Sequence, residues 1–211
     1  MVIPAERPKV PRTPPEPLRR EASDVLALTP RLWRIHRTRG AHVVAWNVLR
    51  SYGPLPSMRY DPHPEPVGEH RVGVLYAASS LATALAETFQ ATRLIDTISF
   101  GPQLTVWQPI RALRLLDLTG TWALRNQAAH ALDAAPRSVG RAWARTIAAT
   151  WPDLDGLWVA STMTGEANAV LWSPAADALP GAPEFSRPLA DPTLYAIIAR
   201  IAATELAYGV D

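Results

Sequence analysis

Apolar positions are sparse in the first 24 residues and then recur in two rhythms. Leu32-Trp33-Arg34-Ile35-His36 alternates closely enough for a strand. Arg71 to Ala78, RVGVLYAA, is a nearly unbroken apolar run, which predicts a buried strand. Segments 104–108, 111–118, 156–160 and 168–172 predict four more. Elsewhere the spacing is helical. Leu81, Leu85 and Phe89 share one face of a helix that Ser79 or Ser80 can cap and that runs to about residue 91. Residues 121–134 also read as helix. Val139, Trp143, Ile147 and Trp151 keep strict i+4 spacing after Pro136, and Pro192 opens a last helix with Leu194, Ile198, Ile201 and Ala202 inward. Strands and helices mix without a steady βαβ alternation, so the predicted class is α+β rather than a doubly wound sheet.

Proline divides the chain. Seven of the first 30 residues are proline, which blocks helix interiors and removes backbone donors. Residues 1–24 are therefore expected to form a Pro/Arg-rich disordered arm, with one folded domain over 25–211. A second Pro-rich stretch, Ser51 to Arg71, carries prolines 54, 56, 62, 64 and 66 and reads as a long loop. Residues 41–50 are ambiguous.

Charge sharpens this division. Lys9 is the only lysine among 21 basic residues. Residues 1–40 hold nine basic and four acidic side chains, net +5; the other 171 hold twelve and fifteen, net −3. A binder of nucleic acid over its whole surface would not be built this way, so direct nucleic-acid binding is not expected. The chain has no cysteine, which removes disulfides, thiolate zinc sites and cysteine nucleophiles and fits a cytoplasmic protein. No apolar run approaches the roughly 20 residues of a membrane span. The opening MVIPAERPKV lacks an apolar signal core, so neither secretion by that route nor a membrane partner is expected.

Motif searches remove several chemistries. GxGxxG, GxxxxGK[ST] and GxSxG are all absent. Asp61, His63, Glu65, Glu69 and His70 are metal-ligand types, but prolines hold their loop extended and their spacing fits no helix or hairpin, so it reads as solvated. Arg137, Arg141 and Arg145 form an i+4 stripe that reads as a solvated helix face. Glu87 falls roughly 140° from the Leu81/Leu85/Phe89 stripe and alone would be a surface glutamate. Arg34 and Arg59 alone would be surface arginines, Ser161 a turn residue and Tyr76 core.

The order of these residues says more than each alone. Leu-Trp-Arg34-Ile, Arg59-Tyr-Asp-Pro62, Val-Leu-Tyr76, Thr83-Ala-Leu-Ala-Glu87, Asp155-Gly156 leading to Ser161, Gly165 and Asn168-Ala-Val-Leu-Trp172 together resemble the RES-domain family. That family is named for a recurrent arginine, glutamate and serine, matched here by Arg59, Glu87 and Ser161. The stretch Leu75-Tyr-Ala-Ala-Ser-Ser-Leu-Ala-Thr-Ala-Leu-Ala-Glu87 is the most specific part. The resemblance implies an ADP-ribosyltransferase-like single domain of two small packed β-sheets flanked by helices. It also implies a toxin–antitoxin toxin that destroys NAD as glycohydrolase or phosphorylase. NAD would be the substrate, phosphate a co-substrate for phosphorolysis, an Xre-type DNA-binding antitoxin the partner and a homodimer the assembly.

NAD cleavage at the nicotinamide–ribose bond expels a neutral base through an oxocarbenium-like state. The roles that follow are what the resemblance implies. Glu87 would stabilise that cation. Arg34 and Arg59 would clamp the pyrophosphate. Tyr76 would lie against the nicotinamide. Ser161 and the backbone at Gly165 would bind phosphate or ribose. Neither metal nor cofactor is called for. Two alternatives stand beside this reading: transfer of ADP-ribose to a protein, and a non-catalytic nucleotide-binding module. Leu85, where protein-modifying relatives usually carry a second acid, speaks against transfer.

Overall fold

The computed structural model describes residues 8–211. The strands are β1 (Val25–Leu28), β2 (Leu32–Arg37), β3 (Arg50–Gly53), β4 (Gly68–Ala78), β5 (Leu94–Ile95), β6 (Pro102–Trp107), β7 (Leu113–Asp117), β8 (Gly156–Ala160), β9 (Ala167–Trp172), β10 (Phe185–Pro188) and β11 (Gly209–Val210). The α-helices are α1 (Leu81–Phe89), α2 (Trp122–Arg125), α3 (Arg137–Thr150) and α4 (Pro192–Ile201). None of the described helices is long and apolar enough to cross a membrane.

Two ladders of strands meet along one line. On one side the order is β1-β7-β8-β9-β4, with β3 on the outer edge of β4; on the other it is β2-β6-β10. Only the pair Trp33↔Ala78 joins β2 to β4. The fold is thus α+β, built on one curled nine-stranded sheet whose two halves diverge at this single bridge. The parallel pair β5/β11 stands apart.

Each half-sheet buries its face under helices. Trp122 of α2 and Trp143 and Ile147 of α3, all fully buried, pack on Leu116, Leu157 and Val170. The Trp122 and Trp143 rings meet edge to face at 5.8 Å, the geometry their quadrupoles favour. Leu81 and Leu85 of α1 and Ile198 and Ile201 of α4 cover Leu104 and Val106 of the second half-sheet. The i+4 patterns of α1, α3 and α4 therefore point inward as their spacing predicts. The helix expected over 121–134 stops at Arg125. Asn126 turns its side chain back onto the Trp122 carbonyl, Gln127 adopts φ 61°, and a 3-10 turn, His130–Ala134, follows.

The expected disordered arm is the main correction to the fold. Residues 1–7 of that arm lie outside the described residues. Residues 8–24 form an extended strap across α2 and α3. The Trp143 indole N–H donates to the Pro11 carbonyl at 3.0 Å, and the Ala129 amide donates to the Lys9 carbonyl at 2.8 Å. Asn126 exchanges two hydrogen bonds with the Arg19 backbone, both 2.8 Å. Arg20 pairs with Asp153 at 2.9 Å and stacks on Trp151, and Leu18 enters the tryptophan cluster with 8% exposure. Prolines do exclude a helix here, but an extended chain leaves its carbonyls free to accept from outside. The Arg20 side chain is turned to this packing, whereas Arg19 joins it through its backbone and keeps its side chain exposed.

Leu18→Ala is expected to lower stability by roughly 2–3 kcal/mol, since it empties a buried leucine site. For a chain of this length that is a fall of about 5–10 °C in melting temperature. A thermal melt within 1 °C of wild type would show that the strap contributes nothing to the domain.

Candidate functional site

A cleft of about 510 Å³ opens between β2, β4, α1, the 57–60 segment and the start of α3. That volume lies within the range of small-molecule sites. Its wall includes Arg34, Arg59, Tyr76 and Glu87, four of the residues expected from sequence. They come from β2, a loop, β4 and α1, so no short window of sequence contains the site.

Glu87 sits one and a half turns into α1, whose start is fixed by Ser80: the Ser80 hydroxyl accepts from the Thr83 amide at 3.2 Å. Its Oε1 accepts from the Ser161 hydroxyl at 2.7 Å and from the Asn168 amide at 3.4 Å, and Oε2 from Gln90 at 3.2 Å. Helix geometry alone gives a surface glutamate. The face it occupies is solvent-side for the helix but turns into the cleft.

Ser161 stands behind Glu87, not on the cleft wall. It is 3% exposed, and its hydroxyl accepts from the Met163 and Thr164 amides at 3.1 and 3.2 Å while donating to Glu87. A hydroxyl so engaged orients the carboxylate. Gly165 (φ +78°) closes the same turn, its amide donating to the Ser161 carbonyl at 2.9 Å. That conformation suits glycine. Both residues expected to hold phosphate or ribose thus act in the turn that presents Glu87.

The cations differ in how far they are neutralised. Arg34 donates to the Trp46 carbonyl at 3.1 Å and has no carboxylate partner among the described residues. Burial and the neighbouring Arg50 bring its pKa down to about 10, which leaves it cationic at neutral pH. Arg59 has one buried guanidinium nitrogen with no hydrogen-bond partner among the described residues. Arg137, at the first turn of α3, reaches only Gln90, at 3.4 Å. Arg50, in contrast, is paired with fully buried Asp61 at 2.7 Å. A cleft with three such arginines and one cleft-facing glutamate is built for an anion.

Several of these residues escape the sequence reading. Asp133 lines the cleft from the His130–Ala134 turn and accepts from the Tyr60 hydroxyl and the Ala160 amide. Burial raises its carboxyl above the usual range and pushes the Tyr60 phenol well above its own. Asp61 and His63 are fully buried, so this part of the Pro-rich loop is not solvated as expected; residues 64–67 and Glu69 are exposed. The prolines hold that loop extended, but its first turn is drawn inward by Arg50, a residue from the ambiguous stretch. Nor is the arginine stripe of α3 merely solvated. Arg141 donates to the carbonyls of Leu55, Pro56 and Met58 at 3.2–3.4 Å and so latches the segment that leads to Arg59. Among the described residues no group of three His, Asp or Glu is placed to hold a metal.

An α+β domain with an arginine-walled cleft around one oriented glutamate defines a class, enzymes and binders of small anionic ligands. The family follows from comparison. The RES domain model matches residues 31–190, and the chain belongs to the RES-domain family. In fold it is similar to a chain of the crystal structure of the M. tuberculosis MbcT–MbcA toxin–antitoxin complex. That likeness has a TM-score of 0.58 at 16% identity and covers 85% of this chain and 92% of that one. No curated protein matches the chain.

Gly140 lies under Arg59: a Cβ there would come within 2.4 Å of Arg59 Cγ and 2.8 Å of its carbonyl oxygen. Gly140→Ala gains helix propensity, about 1 kcal/mol, yet must displace the Arg59 backbone. The expected result is a weakening of inorganic pyrophosphate binding by roughly tenfold, the loss of one charge-assisted contact, with α-helical content retained. Calorimetric titration together with circular dichroism checks both parts; unchanged affinity would mean that Arg59 does not touch the anion.

Proposed function

We propose that this RES-domain protein cleaves NAD at the nicotinamide–ribose bond, by hydrolysis or phosphorolysis, and acts in the cytoplasm as the toxin of a toxin–antitoxin pair. The observation that carries the reading is Glu87: a carboxylate held by Ser161, Asn168 and Gln90, in a cleft whose wall also carries the arginines 34, 59 and 137, none of them paired with a carboxylate among the described residues. The reaction needs that combination. The dinucleotide brings a pyrophosphate, which guanidinium forks bind in pairs. The developing positive charge on the ribose needs a fixed anion beside it, and a preorganised one acts without reorganising. The departing base is neutral, so no acid is required to protonate it. The Tyr76 ring offers a flat surface for the nicotinamide.

Membership of the RES-domain family and the fold likeness to a chain of a toxin–antitoxin complex support the toxin role. An antitoxin partner and a homodimer belong to the same proposal. Transfer of ADP-ribose to a protein is the weaker reading, because Leu85, two residues before Glu87, is fully buried and puts no second acid in the cleft.

Incubating purified protein with NAD, with and without phosphate, and identifying the products tests the proposal. Nicotinamide plus ADP-ribose means hydrolysis, a 1″-phosphorylated ADP-ribose means phosphorolysis, and intact NAD overturns both. Glu87→Gln is expected to fold normally and to lose on the order of 10²–10³ in turnover, the scale for removing one preorganised electrostatic group. Arg34→Ala and Arg59→Ala are expected to cost roughly 1.5–3 kcal/mol each, mainly in KM. Arg59→Lys should recover only part of this, since a point charge does not replace a fork.

A further inference from the structure

Asp61 has no role in the account so far, yet its carboxylate accepts three hydrogen bonds beside the cleft. It is fully buried. Oδ1 accepts from Arg50 Nη2 at 2.7 Å and from the Tyr76 hydroxyl at 3.0 Å; Oδ2 accepts from the Leu55 amide at 2.8 Å. The His63 ring lies 3.7 Å from Oδ2, beyond hydrogen-bond reach, and is itself fully buried. Burial works against the anion, but the Leu55 amide and Arg50 hold the carboxyl below its usual range. Asp61 is therefore a permanent buried charge at neutral pH, and two of its partners, Arg50 and Tyr76, are themselves wall residues of the cleft.

Arg50 is the fourth arginine of that wall and the only one of the four with a carboxylate partner among the described residues. Its second terminal nitrogen donates to the Tyr52 carbonyl, so both ends of the fork are turned toward protein. Tyr76 is held at both sides of its hydroxyl, which donates to Asp61 and accepts from the Tyr60 amide at 3.2 Å. A ring so fixed presents one face to the ligand.

We propose that Asp61 is a specificity-determining residue: by neutralising and withdrawing Arg50 and anchoring the Tyr76 hydroxyl, it sets the negative charge that the cleft accepts. A ligand then meets Arg34, Arg59 and Arg137 and not a fourth cation. Such a wall suits a pyrophosphate diester such as a dinucleotide, which carries fewer charges than a free polyphosphate. An unpaired Arg50 would favour the more highly charged anion instead. This inference rests on the reading of the cleft as a dinucleotide site and refines it.

Inorganic pyrophosphate is the probe, titrated by calorimetry at several salt concentrations, with NAD turnover measured alongside. Asp61→Asn keeps shape and removes the charge. It is expected to bind pyrophosphate several-fold more tightly, with a steeper salt dependence, while NAD turnover falls about tenfold. Adding Arg50→Gln to that variant should return pyrophosphate affinity to the wild-type level, whereas a merely structural Asp61 would let affinity and turnover fall together with melting temperature. If Asp61→Asn does not fold, the Asp61→Asn/Arg50→Gln double variant alone decides: a pair whose charges cancel within the wall predicts unchanged pyrophosphate affinity. A tenfold loss in that double variant, or unchanged affinity in Asp61→Asn, overturns the proposal. Wild-type protein that binds pyrophosphate but leaves NAD intact overturns only the NAD reading; wild-type protein that binds no pyrophosphate overturns both.

Discussion

Everything at the cleft depends on keeping one carboxylate pointed in a fixed direction. A glutamate on an exposed helix face samples several rotamers, and its charge is then spent on water. In this fold the Glu87 carboxylate takes hydrogen bonds from the turn after β8, from β9 and from its own helix. The turn can supply its hydroxyl because Ser161 is in turn held by two backbone amides, and because Gly165 permits the left-handed step that closes the loop. The two half-sheets matter for the same reason. One contributes β4 and the strands that carry Ser161 and Asn168, the other brings Arg34 on β2, and α1 starts where β4 ends.

The arginines follow a second rule: a buried or half-buried cation must be matched or else left for a ligand. Arg50 is matched by Asp61, and Arg111 by Asp155, which sits at the start of β8 at 2.7 Å. Arg141 spends its donors on loop carbonyls. Arg34 and Arg59 have no carboxylate partner among the described residues, and with the exposed Arg137 they line one cavity. The pairing of Arg50 thus leaves the cleft wall with three arginines that have no carboxylate partner among the described residues.

Sequence reading recovered the elements with strong periodicity and lost those whose partners are remote. The i+4 patterns of α1 and α3 and the apolar run of β4 are local signals, and all three elements form. The short edge strands β1, β3 and β10 carry only four residues each, too few for alternation to stand out. Residues 8–24 have a composition that suits disorder, and nothing in that composition encodes the tryptophan-lined surface that receives them. Asp61 and His63 look like solvated loop residues because the guanidinium that draws Asp61 inward lies eleven positions earlier, in a stretch with no clear pattern. The family motif picks out Glu87 and Ser161, but their hydrogen bond spans 74 positions and is visible only in three dimensions.

The strap has a consequence for the order of assembly. Its bond from Trp143 to Pro11 spans 132 residues, one of the longest sequence separations among the side-chain hydrogen bonds described. Closing so long a loop costs entropy that only a finished docking surface can offset. That surface is made of α2 and α3, so the strap is synthesised well before the residues that receive it and must wait, tethered and undocked, until they have followed. Residues made before their docking surface are thus among the last to find their native contacts. Until then the groove beside Trp122 and Trp143 is open to whatever else is extended, proline-rich and near at hand.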